Sequence, residues 1–158
     1  MKIMTAMLLA ALAILVAAPA MAESFQDPVA YCRAVGTIDK PDARYTGPKL
    51  PGWMAAKLNL EPNQAKMMEW RCADGAVLAC LDGANIPCDS KADVSRTPTE
   101  AIAGYCRENP GSDFVPMYVT GHETVVSWAC HGTEPTVTNV GAVDAQGYAE
   151  AFWHQVAP

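Results

Sequence analysis

The longest apolar run comes first. Ile3 to Ala22 carries no charge, follows Lys2, and ends in Ala20-Met21-Ala22 with Pro19 just ahead. A positive start, an apolar centre and small residues at the cleavage positions make residues 1–22 a secretory leader, with cleavage expected between Ala22 and Glu23. The run is also long enough, at about 20 residues, to span a bilayer, so an uncleaved anchor is the competing reading. Beyond it the pattern shortens. Asp27-Pro28 opens a helix through Val35 that Gly36 stops, and Thr97-Pro98-Thr99-Glu100 opens another to about Glu108, capped by Thr97 and ended by Asn109-Pro110-Gly111. Met67–Cys72 and Ala76–Leu81 flank Ala73-Asp74-Gly75, a hairpin signal. Val115–Thr120 and Glu123–Cys130 are β-branched and aromatic and flank Gly121-His122, which predicts a second hairpin, with a further strand over Pro135–Val140. Trp53–Leu60 predicts a short amphipathic helix. Tyr148, Phe152 and Val156 share a face at spacing four, which predicts a last helix over about 145–156 capped by Asp144. The class is α+β, small helices against antiparallel strands, in one domain over 23–158.

The chain repeats itself. At an offset of 74, residues 31–47 align with 105–121 with six identities: Tyr31-Cys32-Arg33 on Tyr105-Cys106-Arg107, Asp39 on Asp113, and Thr46-Gly47 on Thr120-Gly121. Trp70-Arg71-Cys72 then matches Trp128-Ala129-Cys130 once about 16 residues near Gly52–Met67 are set aside as an insertion. Two degenerate units are expected, about 27–81 and 98–140, with 82–97 as a stapled connection.

Six cysteines in a chain with a leader point to three disulfides. No Cys-x-x-Cys occurs, which argues against zinc-ribbon, thioredoxin-type and c-type haem readings. If each unit closes on itself the pairs are Cys32–Cys72, Cys80–Cys88 and Cys106–Cys130. An exchanged set, Cys32 with Cys130 and Cys72 with Cys106, also respects the pseudo-symmetry.

Of 158 residues, 17 are acidic and 11 basic; the leader takes Lys2 with it, which leaves ten basic residues and a net charge of −7 with His neutral. An acidic surface repels phosphate backbones and anionic headgroups, so neither nucleic acid nor, after cleavage, membrane is an expected partner.

Chemistry-bearing residues are few. His122 and Glu123 at the expected hairpin tip, His131 and Asp113 are the candidate catalytic groups, since a His titrating near neutrality beside a carboxylate is a common acid–base pair. No metal site and no cofactor are expected. Arg33 with Asp39 and Arg107 with Asp113 read as a repeated structural ion pair near helix ends. Trp70 and Trp128 are expected to pack over the neighbouring disulfide, and Met54, Met67 and Met68 to pack as well. Trp53 and Trp153 are the candidate binding surface.

Tyr31-Cys32-Arg33, Tyr45-Thr46-Gly47, Trp70-Arg71-Cys72, Cys80, Ala84-Asn85-Ile86-Pro87-Cys88, Tyr105-Cys106-Arg107 and Trp128-x-Cys130 together resemble small exported Cys-rich proteins of Gram-negative bacteria. The resemblance spans nearly the whole chain after the leader. It implies a periplasmic or secreted module and carries no activity, ligand or site residue. The expected function is a non-enzymatic binding or accessory module for an envelope or extracellular protein or a glycan. The alternative is a small periplasmic hydrolase using His122 or His131.

Overall fold

The computed structural model describes residues 23–83 and 87–158, and the leader expected over 1–22 lies outside them. Helix α1 (Pro28–Val35) begins where the Ala30 N–H donates to Asp27 Oδ2 at 2.9 Å. It ends at Gly36, whose φ of 76° suits a residue without a Cβ and lets its N–H reach the Cys32 carbonyl. Pro28, Tyr31 and Cys32 are its buried residues. After it the chain exchanges two backbone hydrogen bonds between Ile38 and Cys72, then forms two short helices, α2 (Gly52–Lys57) and α3 (Pro62–Ala65). Strands β1 (Met68–Ala73) and β2 (Ala76–Leu81) form an antiparallel hairpin. Asp74 and Gly75 both have positive φ at its turn, which matches the right-handed twist of the strands.

The second half also runs from a helix to an antiparallel hairpin. Helix α4 (Glu100–Glu108) precedes α5 (Met117–Thr120), and β3 (Val126–His131) pairs antiparallel with β4 (Glu134–Val140). In each half one disulfide joins the helix to the first hairpin strand, Cys32 to Cys72 and Cys106 to Cys130, while Cys80–Cys88 closes a small ring between them. Trp70 and Trp128 are buried in the same clusters as these bridges. The first core gathers Tyr31, Met54, Met68, Trp70, Val77 and Val156; the second gathers Ile102, Val115, Val126 and Trp128. A third, smaller cluster sets Tyr148 and Trp153 against Cys80–Cys88.

Four local expectations are corrected. Residues 117–120 are helical and not a strand, because Pro116 supplies an extended N-cap and Gly121, at φ 90°, stops the turn. The second hairpin is therefore β3–β4, turning at Gly132, and His122-Glu123 lies in the loop between α5 and β3. The helix expected over 145–156 is absent: Asp144 Oδ1 accepts from the N–H groups of Gln146 and Tyr148, Gly147 takes φ 87°, and the chain straightens into β5 (His154–Val156). Strand β5 pairs with β2, which gives a sheet in the order β1-β2-β5. The cap of α4 is Thr99, not Thr97, because the Thr99 hydroxyl accepts from the Ile102 N–H. Finally, the repeated Arg–Asp pair does not form. Asp39 pairs with Lys91 at 3.2 Å and Arg107 with Glu100 one face along α4, while Arg33 has no ion-pair partner among the described residues.

Candidate functional site

The acid–base candidates are not drawn into one site. His122 and Glu123 precede β3 and His131 ends it, so the two imidazoles sit at opposite ends of a strand whose five residue steps span about 17 Å. Burial alternates along β3 with Val126, Trp128 and Cys130 inward, so His131 points away from the core. Asp113 lies on the exposed segment that runs beside β3, where the Cys130 N–H donates to the Ser112 carbonyl. None of these four residues lines the cavities over the two cores, and no His–carboxylate pair or three-residue metal cluster forms among the described residues. The tryptophan candidates move as well: Trp153 is buried and Trp53 is half-buried against the first core.

Trp153 is buried by a residue that sequence reasoning left aside. Arg71 follows Trp70 on β1 and so faces the other side of the sheet, where the segment 144–153 covers it completely. Its guanidinium lies 4.5 Å from the Tyr148 ring centroid and 4.6 Å from that of Trp153, pairs with Asp144, and donates to Gln146 Oε1 at 3.3 Å. Its Nε has no hydrogen-bond partner among the described residues. Burial works to raise the Asp144 carboxyl, yet the Tyr148 N–H, the Arg71 guanidinium and the Gln146 N–H together hold it below the usual carboxylate range. Burial, with Asp39 nearby, pushes the Tyr148 hydroxyl up. The signal that could have found this site was an arginine standing between two core positions of a strand.

On the opposite face of β1 a cavity of about 450 Å³ opens over the first core. Its floor is Tyr45, Met68 and Trp70. The Tyr45 and Trp70 rings meet edge to face with centroids 4.8 Å apart, and Tyr31 touches both at 5.5 and 6.0 Å. The Trp70 indole N–H donates to the Lys49 carbonyl and the Tyr45 hydroxyl to the Pro48 carbonyl, so backbone anchors both rings. Burial raises the Tyr45 hydroxyl, assisted by Asp27. Gly47 makes this arrangement possible: a Cβ there would sit 2.2 Å from the Gln26 carbonyl oxygen and 2.5 Å from the Tyr45 hydroxyl.

Charged groups stand around this floor. The Asp42 carboxyl is held down to about 2, first by hydrogen bonds from the Arg44 guanidinium and then by the Arg44 backbone N–H. Lys40, Lys49 and Glu69 also line the cavity, and none of them forms an ion pair among the described residues.

A second concavity, a groove of about 520 Å³, lies over the second core between the α5 segment and β3, with no charged residue in its lining. Phe114, 65% exposed, and Met117 form part of its wall, and Tyr118 beside it is 80% exposed. The offset of 74, which becomes 58 past the insertion, carries the residues of the first cavity onto this one. Seven of the nine positions lining the first cavity have their counterpart in the groove, Trp70 on Trp128 and Gly47 on Gly121 among them. No family model matches the chain, and neither the curated proteins nor the solved structures contain a significant match.

Proposed function

We propose that this protein is an exported, non-enzymatic binding module, periplasmic or secreted, built from two degenerate copies of one helix-plus-hairpin unit. The observation that carries this reading is the recurrence of a concavity at corresponding positions of the two halves, each floored by the strand tryptophan. Concave sites with an aromatic floor and a few polar groups are the usual form of a ligand site. Three disulfides suit an oxidising compartment and hold such a floor rigid, which lowers the ordering cost of binding. The hydrolase reading gains nothing from the separation of His122 and His131.

Two measurements test the proposal. Intact mass of protein purified from the native envelope or medium should match Glu23–Pro158 less six hydrogens, and a retained leader or free thiols would overturn export as described. In a strain lacking the gene, the His122→Ala/His131→Ala double variant should restore the wild-type phenotype and Lys49→Glu should not. The reverse pattern would favour catalysis over binding.

A further inference from the structure

We infer that the groove over the second core is the contact face of a symmetric pair of this chain, in which Phe114 and Met117 of each copy enter the groove of the other; the choice of occupant rests on the two-unit reading above. Concave surface and protruding side chains lie side by side there. The groove holds about 520 Å³, Phe114 (65% exposed) and Met117 (42%) stand on its wall, and Tyr118 (80%) lies just beyond it. These are three of the five large apolar side chains that the described residues leave exposed. A contact in which a patch meets its own image needs hole and protrusion on one surface, because what one copy inserts the other must receive, and the reverse.

The two-unit alignment says which side chains the groove lacks. Pro51 and Met68 bracket the insertion of the first unit, and their counterparts, Val125 and Val126, are consecutive and both line the groove. In the first unit the insertion lays Trp53, Leu58 and Leu60 against the core and buries Met54 completely in it. The second unit has no such segment, so its concavity stays open at the splice point. An aromatic residue beside a methionine, Trp53-Met54, does the covering in the first unit, and Met117-Tyr118 is the pair of the same chemistry that a second copy presents. Charge selects the same occupant. None of the seventeen residues lining the groove is charged, although 18% of the chain is. A contact around a twofold axis sets each charge near its own image, so two copies of an acidic chain can meet only on an uncharged face, whereas an anionic membrane is repelled by the whole molecule. Seventeen residues against the roughly 20–30 a side of a standard interface suit weak, reversible pairing.

The test uses the oxidised protein as purified, labelled with ¹⁵N, over a concentration range of about 1 µM to about 1 mM, which covers weak pairing. The sedimentation mass should rise toward twice that of the monomer, and pairing should tighten as ionic strength goes from about 10 mM to about 150 mM, because salt screens the repulsion between two acidic copies. The amides of Met117, Val125 and Ala142 should shift with concentration, and those of Gly36 and Gly75 in the first half should not. Met117→Lys should weaken pairing by about tenfold or more, the worth of burying one such side chain, at an unchanged urea midpoint. Met67→Lys, at another exposed methionine, should leave pairing as it was. Inserting residues 52–67 between Val125 and Val126 should give a folded monomer. A chain that stays monomeric throughout, or a pair that Met117→Lys leaves intact, overturns the contact. A monomer whose groove amides shift instead on adding phosphatidylglycerol vesicles would assign the face to a lipid surface and overturn it as well. If Met117→Lys abolishes pairing but the insertion variant pairs as before or does not fold, the contact stands and the two-unit account of it fails.

Discussion

Arg71 is the one charged side chain that the described residues bury completely, and it is buried between two aromatic rings with a carboxylate at its tip. Removing one member of such a pair costs more than the pair contributes, because the other is left without a partner in a low-dielectric site. Arg71→Met alone should therefore destabilise by about 3–5 kcal/mol in urea unfolding, and adding Asp144→Asn should recover part of that loss. Acid adds a second signature. The Asp144 carboxyl titrates below its ordinary value in the folded chain, so its contribution is complete above pH 4 or so and is lost as pH falls further. Asp144→Asn should flatten that part of the stability profile, and an unchanged acid limb would remove Asp144 from the account. Gly47 is the other residue whose identity is fixed by space. Gly47→Ala should cost about 1–3 kcal/mol by displacing Tyr45 or the Gln26 peptide, read as a lower urea midpoint at unchanged slope.

At the scale of elements, what was legible was local. Helix α1 was readable because its cap, its first-turn proline and its terminating glycine are contiguous, and the β1–β2 hairpin because Asp74-Gly75 sits between two β-prone runs. Helix α4 was found but its cap displaced by two residues, since Thr97 and Thr99 both precede the apolar positions and only packing chooses between them. Thr99→Ala should cost about 1 kcal/mol and Thr97→Ala less than about 0.5, measured by thermal unfolding. The C-terminal segment was misread for a different reason. Its spacing of four is compatible with a helix, but the open edge of β2 and the guanidinium of Arg71 lie far away in sequence, and both favour an extended ending. The first cavity was legible only in part: Tyr45, Gly47 and Trp70 stood out as repeated or motif residues, while Lys40 and Lys49 carry no local signal and come together only through the loop that crosses this floor.

For the whole molecule, the three bridges set the stability scale. Loops of 40, 24 and 8 residues imply about 4, 3.5 and 2.5 kcal/mol as upper figures in the chain-entropy picture. Replacing Cys32 and Cys72 together by Ala should lower the melting temperature most, and replacing Cys80 and Cys88 least; the opposite order would mean that local geometry outweighs loop length. The first sheet also has an unusual order of assembly. Strands β1 and β2 belong to the first half, yet the strand that finishes their sheet and the carboxylate that neutralises Arg71 are both contributed after the second half has been made. A chain delivered from its amino end must therefore leave Arg71 uncovered until the second half and the segment after it have emerged. Helper enzymes that rearrange mismatched thiols have their longest opportunity at the bridge that forms first, and a stop codon placed after the second unit would leave the first one without its final strand.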